Sequence, residues 1–93
     1  MCTTIADKLA VSGSGKGPKG WFALDAVYVG YDHPFHAPVE HALTLDFVNE
    51  AAGPGARVAV ELTRESAREL LARLHDALAA SDAFEDGPPS PPD

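Results

Sequence analysis

Hydrophobic and polar residues alternate along several segments of the chain, and this pattern predicts four β-strands. Residues 3–12 alternate, although Asp7 interrupts the apolar side. Residues 41–50 and 57–62 alternate more regularly. Residues 21–31 are apolar at both odd and even positions, which is typical of a central strand covered at least partly on both faces. Because the connections are of short or medium length, we expect an antiparallel meander.

A single helix is predicted after the fourth strand. Thr63 is a suitable N-cap, because its hydroxyl can accept a hydrogen bond from a free amide of the first helical turn. Apolar residues then recur at spacings of three and four, as one stripe: Ala67, Leu70, Leu71, Leu74 and Leu78. We expect the helix to end near Ser81. The predicted fold is α+β, with the order ββββα and the helix packed on one face of the four-stranded antiparallel sheet.

The length of 93 residues predicts one domain, residues 1–81, followed by a tail, residues 82–93. The tail has four acidic residues, four prolines and no basic residue, so we expect it to be disordered. On the face of the sheet away from the helix, the second strand would carry an exposed strip of Phe22, Leu24 and Tyr28. Such a strip is a usual place for a homodimer to form, and we therefore expect a homodimer.

Charge and hydropathy exclude several classes of partner. The formal net charge is −7, which argues against binding nucleic acid through its phosphates. No apolar run approaches the ~20 residues that cross a bilayer, so no membrane is expected. The first residues lack the basic and then apolar layout of a secretory signal, which favours the cytoplasm.

The glycine-rich segment GSGKGPKG, residues 13–20, is not a nucleotide-binding loop. A phosphate-binding loop has Ser or Thr after its lysine and then begins a helix. Here Gly17 and Pro18 follow Lys16, and the next predicted element is a strand. We interpret the segment as a hairpin turn.

Three of the four histidines lie in the segment YDHPFHAPVEH, residues 31–41. His33, His36 and His41 have the spacing H-x2-H-x4-H, and two prolines between them restrict the backbone. Imidazole is a frequent ligand of zinc and other borderline metals, and a catalytic zinc site has three protein ligands and one open position. We therefore predict a divalent transition-metal site on these three histidines, with zinc as the favoured ion.

Other residues could join this site or replace the metal. Cys2, the only cysteine, and Glu40 are reserve ligands, and Asp32 could fix the tautomer of an imidazole. Without a metal, His33, His41 and Glu40 could transfer protons in an isomerase or cyclase, with Tyr31 as a hydrogen-bond donor to an oxyanion and Cys2 as a nucleophile. A third interpretation is a dimeric accessory or binding protein in which the histidines order a loop. Whether the protein is an enzyme stays open.

The segments MCTTIA, GSGKGPKGWF, YDHPFHAPVEHAL and DFVNEAAGPGARVAVEL, followed by the helix, are together similar to a known family. The chain resembles a family of small uncharacterised proteins from actinobacteria over roughly residues 1–80. The resemblance implies a bacterial cytoplasmic protein. It supplies no activity.

Overall fold

The computed structural model describes residues 5–85, and these form one antiparallel sheet followed by one long helix. The elements are β1 (Ile5–Gly17), β2 (Gly20–Asp32), β3 (Ala42–Val48), a 3-10 helix (Glu50–Ala52), β4 (Arg57–Leu62) and α1 (Arg64–Glu85). Neighbouring strands pair in the order β1-β2-β3-β4. The predicted α+β class and ββββα order are therefore confirmed.

Two predicted boundaries differ from the structure. The helix does not end near Ser81 but continues to Glu85, because no glycine or proline interrupts the chain before Gly87. The glycine-rich segment is mostly strand, since β1 continues to Gly17 and only two residues separate it from β2. Residues 86–93 of the predicted tail lie outside the described residues.

A β-bulge interrupts the pairing of β1 with β2. Ala10 pairs with Ala26 and Gly13 pairs with Leu24, so two residues of β1 oppose one residue of β2. Beyond the bulge, a Cβ added at Gly15 would lie 3.2 Å from Leu24 Cδ2 and 3.5 Å from Val58 Cγ2. Leu24 therefore lies close to Val58.

The predicted exposed strip on β2 is consequently absent. Phe22 and Leu24 are half-buried beside the glycines of β1, which leave room for their side chains. Tyr28 is exposed, but its hydroxyl donates a hydrogen bond to the Glu50 carboxylate at 2.5 Å. The surface on which we expected a homodimer is thus not formed.

One face of the sheet is apolar, and we call it the apolar face. Its residues lie in register across β2, β3 and β4: Val27, Val29, Leu43, Leu45, Phe47, Val58, Val60 and Leu62. Of these, Val27 is buried and the others are half-buried. The buried hydrophobic residues of the described part are Ala26, Val27, Ala42 and Ala56, so its core contains mainly alanine.

The helix does not cover the apolar face of its own sheet. No residue of α1 is buried, and its four stripe leucines are between 43% and 67% exposed. Thr63 caps the helix as predicted, because its Oγ1 accepts a hydrogen bond from the Ser66 amide at 3.1 Å. It is also the only residue between β4 and α1. Because strand-to-helix loops usually have two to six residues, this connection is too short to fold the helix back. The predicted packing of the helix on the sheet is therefore not observed in the single chain.

Candidate functional site

The histidine loop, residues 33–41, connects β2 to β3 at one end of the sheet. Asp32 pairs with Ala42, and Tyr31 pairs with Leu43. Leu43 in turn pairs with Leu62, the last residue of β4. The loop therefore lies at the end of the sheet from which α1 departs.

Two of the three predicted histidine ligands lie against each other. The ring centroids of His33 and His41 are 4.5 Å apart, with 27° between their planes. The ring of His41 also stacks with the ring of Tyr31, and their centroids are 5.5 Å apart. His33 Nδ1 lies 2.9 Å from the main-chain oxygen of Glu40. Because a carbonyl oxygen only accepts hydrogen bonds, Nδ1 carries a proton, and the tautomer that this bond selects has its lone pair on Nε2.

A carboxylate from β4 fastens the middle of the loop. Glu61 accepts hydrogen bonds from three successive backbone amides: Phe35 at 2.6 Å, and His36 and Ala37 each at 2.9 Å. The amides of Phe35, Ala37 and His36 hold the pKa of Glu61 below its ordinary value, because they stabilise the charged carboxylate. No local sequence pattern indicates this role, since the contacts join residues about 25 positions apart.

His36 is separated from the other two histidines. It lines an open depression of about 520 Å³, together with Phe35, Ala37, Arg57, Ala59 and Glu61. Adjacent residues of a strand lie on opposite faces, so Glu61 holds this part of the loop on the face opposite to Leu62 and Tyr31. Within residues 5–85, no three His, Cys, Asp or Glu side chains are grouped to hold a metal ion. The predicted three-histidine site is therefore not assembled in the described part of the chain.

The other predicted site residues have different positions. Glu40 contributes its main-chain carbonyl to His33, and Tyr31 contributes its ring to His41. Asp32 Oδ1 accepts a hydrogen bond from the backbone amide of His33 at 2.7 Å. Cys2 lies outside the described residues. The catalytic roles of Tyr31, Glu40 and Cys2 stay predictions.

A second polar cluster lies away from the loop. Lys8 Nζ is 2.8 Å from Glu50 Oε1, and Tyr28 donates to the other oxygen of the same carboxylate. Lys8, followed by Tyr28, lowers the pKa of Glu50, and the bond to Glu50 raises the pKa values of Lys8 and Tyr28. These contacts attach the 3-10 helix to β1 and β2. Because the cluster is exposed and internally paired, we assign it a structural role.

The fold and the loop together define a small α+β protein with a fastened, histidine-containing loop at one end of its sheet. The chain belongs to a family of unknown function, DUF6295, whose model matches residues 1–86. No curated protein and no solved structure matches the chain. The resemblance to a family without a known activity is thus confirmed, whereas the actinobacterial origin stays a prediction. In the described part, α1 is not long and apolar enough to cross a membrane.

Proposed function

We propose that the protein binds a divalent transition metal, with zinc favoured, through His33, His41 and Cys2, and that it acts as a homodimer in the cytoplasm. The observation that carries the metal site is the His33–His41 contact with its fixed tautomer. The hydrogen bond from Nδ1 to the Glu40 carbonyl leaves Nε2 as the available ligand atom. A metal-binding histidine usually donates the N–H of its other ring nitrogen to a carbonyl or carboxylate oxygen in this way. The centroid distance of 4.5 Å keeps the two rings adjacent, and because they are stacked, at least one ring must rotate about its side-chain bonds before both Nε2 atoms can bind one ion at about 2.0–2.1 Å.

The position of Ile5 supports Cys2 as the third ligand. Ile5 pairs with Tyr31, so the chain enters the sheet at the end that carries the histidine loop. Cys2 precedes Ile5 by three residues, which is about 10 Å of extended chain at most. Thiolates and imidazoles are both common zinc ligands, and a site with three protein ligands leaves a fourth position for a water or a carbonyl oxygen. Tyr31 and Glu40 remain the candidate residues for chemistry at that position.

Metal content measured on variants tests this site. Protein purified without a histidine tag is expected to hold about one zinc per chain by elemental analysis. His33→Ala, His41→Ala and Cys2→Ser should each remove most of it. His36→Ala should keep it, because His36 lies on the opposite face. Bound Co²⁺ should also give a thiolate charge-transfer band that Cys2→Ser abolishes.

The controls separate this site from the three-histidine site that the sequence predicts. His75→Ala changes an exposed histidine of α1 and should leave the metal content unchanged. If His36→Ala loses zinc and Cys2→Ser retains it, the result would support the three-histidine site instead. Less than a tenth of an equivalent of metal in the wild type, with a melting temperature that chelator does not change, would refute both.

The homodimer is supported by the exposed leucines of α1. A helix that presents a continuous apolar stripe to water is normally covered in the native assembly. A mass of one chain, 9.8 kDa, at micromolar concentration in light scattering would contradict the dimer.

Phe35 favours a second candidate, a binding protein without chemistry. Its side chain is 90% exposed on a backbone that Glu61 fastens. A rigid, exposed aromatic residue loses little entropy on binding, and such residues are frequent interface hot spots. Two results together would establish this function. The wild type would hold no metal, and calorimetry would show that Phe35→Ala loses the affinity of the wild type for a purified partner. Trp21→Ala, a change at another exposed aromatic residue, is its control.

A further inference from the structure

The chain exposes more surface than a compact protein of its mass. Its accessible surface is 7271 Å², whereas a compact protein of this mass exposes about 5,200 Å². Its radius of gyration is 16.7 Å, compared with about 12 Å for a compact chain of this length. The excess area, on the order of 2,000 Å², is larger than the ~800 Å² per partner that a standard interface buries. The single chain therefore has ample surface for a stable dimer.

Two apolar surfaces remain uncovered in the single chain. The first is the helix stripe, which consists of Leu70, Leu71, Leu74 and Leu78. The second is the apolar face of the sheet, whose residues on β3 and β4 are half-buried. At about 100° per residue, Leu70 and Leu71 mark the edges of a stripe about 100° wide. This width is typical of a helix that faces a core, whereas a two-helix coiled coil has a narrower seam.

We propose that two copies of the chain exchange their helices, so that the helix stripe of each copy covers the apolar face of the other. This inference rests on the homodimer proposed above and specifies its interface. The single residue between β4 and α1 prevents the helix from turning back onto its own sheet. With 22 residues, α1 is about 33 Å long, enough to cross four strands spaced about 4.8 Å apart.

Reciprocal exchange also explains how the assembly closes. The same two surfaces meet twice about a twofold axis, so neither a helix stripe nor an apolar face is left for a third copy. The charged residues of α1 remain in water, where Arg73 and Glu69 already form an exposed ion pair at 3.5 Å. The structure assigns the stripe to an interface and the opposite side of the helix to solvent.

A matched pair of substitutions tests the role of the stripe. Leu74→Glu places a charge in the centre of the stripe, and Ala72→Glu places the same charge on the opposite side of α1. Sedimentation velocity at micromolar concentration should give twice 9.8 kDa for the wild type and for Ala72→Glu. Leu74→Glu should weaken the dimer at least 100-fold. A dimer of unchanged affinity in Leu74→Glu, or equal weakening by both substitutions, would overturn the proposal.

Nuclear Overhauser contacts on the wild type identify the surface that the stripe meets, even if Leu74→Glu does not fold. The sample mixes isotope-labelled and unlabelled chains, so that only contacts between copies are detected. Contacts from the methyl groups of Leu74 to those of Val60 support helix exchange. Contacts found only between the leucines of the two helices overturn the exchange and leave the homodimer in place. A wild type with the mass of one chain overturns both.

Discussion

The histidine loop and the helix stripe differ in where their contacts come from. The loop is fastened by its own chain, through Glu61, the bond from His33 to Glu40 and the stacked rings. The leucines of α1 are exposed, although helices in proteins gain most of their stability from packing of an apolar face. If two copies exchange helices as proposed, the loop is ordered at any protein concentration, whereas the packing of the helix depends on a second copy.

The largest effect is expected from shortening one leucine of the stripe. If Leu78 is buried between copies, Leu78→Ala should lower the free energy of unfolding by about 2–4 kcal/mol per chain. If Leu78 stays in water, the same change should be neutral or slightly stabilising, because alanine is the best helix former. Urea unfolding at fixed protein concentration shows whether Leu78→Ala lowers the free energy of unfolding or leaves it unchanged or slightly higher. Arg68→Ala, outside the stripe, should change stability by less than about 0.5 kcal/mol.

A local effect is expected from Glu61→Gln. The amide side chain keeps one acceptor oxygen but loses the charge that three backbone amides share. Hydrogen exchange at Phe35, His36 and Ala37 should become about tenfold faster, because this part of the loop opens more often. The dimer mass should not change. Glu69→Gln on the helix surface is the control, and unchanged exchange in Glu61→Gln would refute the fastening role of Glu61.

The same carboxylate predicts the behaviour of the loop in acid. The pKa of Glu61 is lower in the folded chain than its ordinary value of 4.5. A depressed pKa means that its stabilisation is complete above the ordinary value and is lost as the pH falls through the folded value. Carbon chemical shifts of the Glu61 carboxyl group should titrate below 4.5, together with the amide shifts of residues 35–37. Titration at the ordinary value would contradict the hydrogen bonds.

The smallest effect is expected at the exposed cluster of Lys8, Tyr28 and Glu50. The bond to Glu50 raises the pKa of Tyr28 above 10.0, so its stabilisation is present below about pH 10 and is lost as the pH rises through the folded value. Glu50→Gln should move the ultraviolet titration of Tyr28 back toward 10.0, with little change in melting temperature. Tyr31→Phe removes the only other tyrosine and isolates the signal.

The sequence predicted those features that depend on local patterns. The alternation of residues 57–62 matches β4 at both ends, and Thr63 caps the helix as expected. The apolar period of α1 identified its stripe, but a period does not specify which molecule covers it. This is why the helix was expected on its own sheet.

The site was less accessible to sequence reasoning, because its geometry depends on contacts between distant residues. From their spacing, we predicted that His33, His36 and His41 share one site. In the structure, Glu61 holds His36 on the other face of the sheet. Likewise, nothing in the local pattern of β2 indicates the bulge in β1 that places Leu24 beside Val58.

The single threonine between β4 and α1 has a consequence for biosynthesis. If two copies exchange helices as proposed, a chain that has completed its sheet cannot finish folding alone, because the last apolar surfaces are covered only after an encounter with another chain. That step is bimolecular and slows as the chains become scarcer, so newly made protein at low abundance spends longer with its leucines accessible to chaperones, proteases and aggregation.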